Sequence, residues 1–156
     1  MSRRRPWWSV SFAAGILLMA QAVPYGPEDV NPPVQAEPQW DSASTRELAR
    51  RACFDCHSNE TEWPVYSKIA PVSWLITRDV YEGRAALNFS EWQGPLEEAG
   101  EAADVLREGE MPPRLYTLMH GHARLSEAER AALAQGLAIT LGTASAPTGE
   151  NDENER

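Results

Sequence analysis

Only two cysteines and three histidines occur in 156 residues. So few thiols exclude the disulfide framework that staples many small exported domains. No stretch alternates apolar and polar residues long enough to read as a half-buried strand, so a large sheet is not expected. There is no repeat of fixed period, no phosphate loop, no dinucleotide fingerprint and no nucleophile elbow. Positive charge is scarce too: 14 Lys and Arg stand against 23 Asp and Glu, a net of −9. Three of the 14 are Arg3, Arg4 and Arg5; setting them aside leaves 11 against 23, a net of −12. Such a surface disfavours nucleic acid. It suits plain solubility, or a protein partner with a basic docking face. Proline and glycine are plentiful, at twelve and ten, and predict long pinned connections.

The N-terminus differs in kind from the rest. No charge falls between Arg5 and Glu28. A basic cap followed by the apolar run from Trp7 to Val23 has the form of an export signal. Ala20-Gln21-Ala22 is an A-x-A cleavage pattern and favours a removed signal peptide over residues 1–23. The run also falls within the ~17–25 residues that a membrane span needs. Trp7 and Trp8 stand where interfacial aromatics would hold a retained anchor. Either reading puts the remainder in the periplasm or on the outer face of the inner membrane. Residues 24–40 contain five prolines and read as an extended spacer. Residues 41–143 form the folded domain. Residues 144–156 are polar and acidic and are expected to be disordered.

Within the domain the patterns are helical. Ser44 with Glu47 has the form of a capping box, opening a short helix through Leu48, Ala49 and Ala52 into Cys53. Pro71 suits a first helical turn, with Val72, Leu75, Ile76 and Val80 at helical spacing. Ser90 is placed to cap a third helix through Leu96, Ala99, Ala103 and Leu106 that ends near Gly109. Ser126 and Glu129 form a cleaner capping box, opening a helix with Leu133, Leu137 and Leu141 that Gly142 closes. Long loops are expected at Asn59–Ile69 and Glu110–Arg124. The fold class is all-α.

Both cysteines and one histidine sit in Cys53-Phe54-Asp55-Cys56-His57. Cys-x-x-Cys-His is the attachment pattern of haem c. Two thiols add across the two vinyl groups of the porphyrin, and the neighbouring imidazole becomes the proximal iron ligand. Rival chemistries use part of the pattern. A redox dithiol belongs beside a βαβ unit, which is missing here. A zinc site would recruit Cys53, Cys56, His120 and His122, but His120-x-His122 is not the usual spacing. A disulfide between Cys53 and Cys56 would close a tiny ring and stabilise little. For the sixth iron ligand, Met111 in Glu110-Met111-Pro112-Pro113 leads, because two prolines hold its loop rigid. His120 and His122 are the alternatives, ahead of Met19 and Met119. Trp63, Tyr66, Trp74, Tyr81, Phe89, Trp92 and Tyr116 are candidate walls of a haem crevice, and Arg78, Arg84 and Arg114 candidate propionate partners.

Taken together, Cys53 to Tyr66, Ile69 to Leu75, Gly83-Arg84, Leu87-Asn88-Phe89-Ser90-x-Trp92, Met111-Pro112-Pro113-x-x-Tyr116 and His120-x-x-Ala123-x-Leu125-Ser126-x-x-Glu129-Arg130 resemble the exported bacterial haem-binding domain family, a set of mono-haem cytochrome c-like proteins. The likeness runs from about Asn31 to Leu141. Val65 departs from it, where the commoner aromatic run is W-P-W-Y. The resemblance implies a small cytochrome c-like helical domain wrapped around one covalent haem c, with His57 proximal and Met111 distal. The expected function is electron transfer by Fe(II)/Fe(III) cycling with redox protein partners, and not enzymatic turnover. A haem-based sensor with a weak sixth ligand is the alternative, and a zinc-binding structural module the third. The membrane enters only through the N-terminal helix.

Overall fold

The computed structural model describes residues 7–23, 25, 26, 29–94 and 101–142. Among these the chain is all-α. Its helices are α1 (Trp7–Ala20), α2 (Ala43–Ala52), α3 (Phe54–His57), α4 (Val72–Ala86), α5 (Glu101–Glu108), α6 (Arg114–Met119) and α7 (Glu127–Thr140), with 3-10 turns at Val65–Lys68 and Gly121–Ala123. The acidic tail, Leu96 and Ala99 lie outside the described residues.

The central element is α7, and its ends form as the sequence predicts. The Ser126 hydroxyl accepts from the Glu129 N–H, and the Glu129 carboxylate accepts from the Ser126 N–H. Gly142, at φ +82°, supplies the left-handed turn that stops the helix. Leu133 and Leu137, with Leu141 just beyond, are buried against α5 and α2. The same core takes in Phe54, Phe89, Ala49, Ala103 and Leu106. Phe54 and Phe89 stack with centroids 5.6 Å apart, and Trp40 leans on both. Each fully buried ring of this kind contributes roughly 1.5–3 kcal/mol.

Four expectations change on the structure. The cap of α2 is Ser42, whose hydroxyl accepts from the Thr45 N–H; Ser44 lies inside the helix. Ser90 caps nothing, because its buried hydroxyl accepts from the Asn59 N–H. The loop expected at Glu110–Arg124 contains α6, which starts directly after Pro113; six residues are too few to show a helical period. The loop expected at Asn59–Ile69 ends in a 3-10 turn.

Residues 29–40 are extended, as their prolines require, but are bonded along the domain. Asn31 donates to the Thr61 carbonyl and accepts from Trp63 Nε1 and Arg84 Nη2. The Ser90 carbonyl accepts from the N–H groups of Gln35 and Ala36, and Trp92 N–H donates to the Ala36 carbonyl. Glu37 accepts from Trp40 Nε1 and from two Arg46 nitrogens. This segment is packed onto the fold and is not a free tether.

The cap of α7 also makes stability depend on acid. The Ser126 backbone N–H, then the Arg51 guanidinium and the Ser126 hydroxyl, hold the Glu129 carboxyl down at about 2, from an ordinary 4.5. A depressed carboxylate stabilises the fold fully above its unfolded value and loses that contribution as pH falls through its folded value. Urea unfolding at a series of pH values between 4.5 and 2 should therefore show stability falling, and falling less steeply in Glu129→Gln. Equal slopes in the two proteins would contradict the assignment.

Candidate functional site

The turn from Cys53 to His57 is short and fully bonded. Cys53 N–H donates to the Ala49 carbonyl at the end of α2, and the Cys53 carbonyl accepts from the N–H groups of Cys56 and His57 at 3.1 and 2.9 Å. Cys53, Cys56 and His57 are thus spaced i, i+3 and i+4 and share one face of a helical turn. Phe54 falls on another face and enters the core. The pattern Cys-x-x-Cys-His is in this sense one helical face, with the buried Phe54 as its counterweight.

His57 is held from two directions. Its carbonyl accepts from the Phe89 N–H at 2.8 Å, and its Nδ1 lies 3.1 Å from the Leu87 carbonyl. A carbonyl only accepts, so Nδ1 carries the hydrogen and Nε2 keeps a free lone pair. Burial lowers the imidazole below its usual value, despite bonds to backbone at Leu87 and Gly83 that work the other way. It is neutral near pH 7, the form that binds a metal. Gly83 of α4 lies so close that a Cβ there would sit 2.5 Å from the Cys56 carbonyl oxygen.

Both thiols are free. Burial pushes Cys53 and Cys56 each up to about 12, helped at Cys53 by Cys56, and at Cys56 by Asp79 and Asp55. They are neutral S–H groups at pH 7. That is the reverse of a reactive dithiol, whose thiol is activated by a lowered pKa.

Cys53, Cys56 and His57 line a cavity of about 790 Å³, toward the upper end of the ~300–1,000 Å³ usual for cofactor sites. Its other walls are Leu75, Asp79 and Gly83 of α4, Val105 and Leu106 of α5, Met111-Pro112-Pro113, and Leu115 and Tyr116 of α6. Met111 is stapled at its backbone. Its N–H donates to the Val105 carbonyl, and Arg130 Nη1 donates to the carbonyls of Met111 and Leu106. Tyr116 donates its hydroxyl to Asp55 Oδ2 at 2.7 Å, while Asp55 Oδ1 accepts from the Glu62 N–H. Burial, and then the Asp55 bond, keep the Tyr116 phenol protonated. The loop carrying Met111 is thereby tied to the turn carrying the thiols.

The remaining candidates sit elsewhere. His120 stacks on Tyr116 with centroids 4.3 Å apart, donates Nδ1–H to the Tyr116 carbonyl and accepts from Tyr66 at Nε2. His122 lines a separate recess of about 220 Å³ with Glu47, Arg50 and Arg51. Neither lines the large cavity, nor does Met119. Of the candidate aromatic walls, Phe89 and Tyr116 line it. Arg84 is spent on the Ser58 and Val30 carbonyls, Asn31 and Thr61, and Arg78 on Glu82. Asp55 and Asp79 were not expected. Asp55 has no local signature, since its partner Tyr116 is 61 positions away.

The donor set suits haem. Two neutral thiols and a bare imidazole nitrogen share one face, Met111 lines the same space, and the walls between are chiefly apolar. Among the described residues, no three His, Cys, Asp or Glu side chains converge as a metal cage would require.

Gly83→Ala should destabilise the fold by about 1–3 kcal/mol, because backbone rather than a flexible side chain must move. An unchanged denaturation midpoint would show that α4 can retreat from the turn freely. Tyr116→Phe leaves a carboxylate oxygen without its donor, a loss of roughly 1–3 kcal/mol. Hydrogen exchange should quicken over residues 109–116 and stay unchanged in the middle of α7. Uniform quickening would mean that the bond does not hold this loop in particular.

The model of a family described as the haem-binding domain matches residues 15–138, from the second half of α1 into α7 and across every residue of the cavity. No curated protein and no solved structure matches the chain. With the match covering most of its length, the chain belongs to the haem-binding domain family.

Proposed function

We propose that this protein is an exported mono-haem c-type cytochrome that carries electrons. One observation supports the reading above the rest: Cys53, Cys56, His57 and Met111, drawn from two distant parts of the sequence, face a single apolar cavity of about 790 Å³. Cys53 and Cys56 would hold the haem through thioethers, His57 through Nε2 and Met111 through its sulfur. The bound haem supplies a one-electron Fe(II)/Fe(III) couple. The chain's own part is to orient the imidazole through Leu87, to fix the Met111 loop through Arg130 and Tyr116, and to exclude water with Leu75, Val105 and Leu106. Met111, on a stapled loop and lining the same cavity as His57, favours a carrier whose iron both residues would hold over a sensor with a weak sixth ligand.

Export is supported by the basic and apolar N-terminus. Among the described residues no helix is long and apolar enough to cross a membrane. The 14 residues of α1 reach roughly 21 Å at 1.5 Å per residue. A partner would present a basic face to the acidic domain, in keeping with the net charge of −9.

The reading is tested on protein matured in a host with haem c assembly machinery. The ferric wild type should show the thioether-to-iron charge-transfer band. Met111→Ala should lose that band with haem still attached. A band that survives in Met111→Ala would move the sixth ligand to another methionine. Complete and rapid carbon monoxide binding by the native ferrous protein would overturn the electron carrier in favour of a sensor.

A further inference from the structure

Helix α1 has no buried residue. Trp7, Trp8, Val10, Phe12, Leu18 and Met19 are all at least two-thirds exposed, and none of the described residues covers them. An apolar surface on every side of a helix, led by three arginines, calls for lipid. The segment after α1 is not a swivel. The Gln21 side chain pairs with both backbone groups of Ala70, donating to its carbonyl and accepting from its N–H, each at 3.0 Å, and also donates to the Leu17 carbonyl at 2.9 Å. The Tyr25 ring then packs on Trp74 with centroids 5.9 Å apart. Asp29 accepts from Ser67 and Thr77. The helix end and the corner between the first 3-10 turn and α4 are one bonded unit.

That corner has an unusual composition. Charged residues make up 24% of the chain, yet residues 63–77 contain one, Lys68. Three aromatics, Trp63, Tyr66 and Trp74, lie among them. The cavity does not account for this, since of these residues only Leu75 lines it. Instead Val65 is 85% exposed, Ile69 50% and Val72 44%, all within five positions of the clamped Ala70. Apolar and aromatic side chains with a single snorkelling lysine are the composition of a membrane interface.

We propose that Val65, Ile69 and Val72 form a surface that rests in the headgroup region of a phospholipid bilayer, and that the Gln21–Ala70 pairing locks the domain there. This rests on the reading of α1 as a retained anchor. A second copy of the chain fits less well, because pairing two corners would leave α1 bare. The consequence is a cofactor cavity held at a fixed height and tilt over the membrane, approached by partners from its free sides.

A photoreactive benzophenone amino acid in place of Val65, in the full-length holoprotein in native membranes, identifies the occupant by the mass of its adduct. The control position is Glu108, exposed on α5. A phospholipid-mass adduct at position 65, and none at 108, is the expected result. A chain dimer, an adduct to another protein, or no adduct above the control would each overturn the proposal. Gln21→Ala should cut the lipid adduct roughly thirtyfold, the weight of the two net hydrogen bonds it makes to Ala70, with the same amount of protein in the membrane pellet; an undiminished adduct would remove the clamp from the account. Absence of the unsubstituted protein from the membrane pellet would overturn the anchor reading itself, a failure distinct from the others.

Discussion

The approach of α4 to the turn at Cys53–His57 is the contact on which the rest depends. At Gly83 the helix backbone comes so near the Cys56 carbonyl that a Cβ has no room. α4 ends at Ala86, and the Leu87 carbonyl at its C-cap receives the His57 ring N–H. Two residues on, Phe89 donates to the His57 carbonyl and sends its ring into the core beside Phe54. The imidazole is therefore oriented by backbone, which cannot rotate away as a side-chain partner could. A free Nε2 on a fixed ring is what ligation of iron requires.

The same turn divides the molecule into two apolar regions. On one side Phe54, Ala49 and Leu133 make a conventional core, and Phe89, Leu106 and Leu137 border both regions. On the other the thiols and the imidazole face a cavity of about 790 Å³. A domain this small buries only a modest core by itself. A covalent haem in the cavity would complete a second core, which would cover the exposed parts of Leu75, Met111 and Leu115. Tyr116 and Asp55 join the two walls of that space, with a bond to a charged acceptor, the kind worth more than a neutral one.

Local chemistry was legible in the sequence, and pairing across distance was not. Cys53, Cys56 and His57 could be placed in one motif from their spacing, and Ser126, Glu129, Gly109 and Gly142 marked helix ends that the structure keeps. Met111 was singled out because prolines follow it, and it does line the cavity. The errors have a common cause. Ser42 and Ser44 are equally good caps by residue type, and only backbone geometry chooses between them. The Ser90 hydroxyl, the Arg84 guanidinium and Asp55 Oδ2 each bond partners some 23 or more positions away, which no local pattern records. The prolines within residues 29–40 announced an extended chain correctly, but extension does not distinguish a free spacer from one bonded to a domain.

The electron-carrier account stands or falls on covalent attachment at Cys53 and Cys56. The most direct measurement is the intact mass, under denaturing conditions, of protein matured in a host able to assemble haem c. The account predicts the mass of the chain plus one haem, and loss of covalent haem when both cysteines are replaced by serine. A chain at its bare mass, produced by a host shown to mature another c-type cytochrome in parallel, would contradict it.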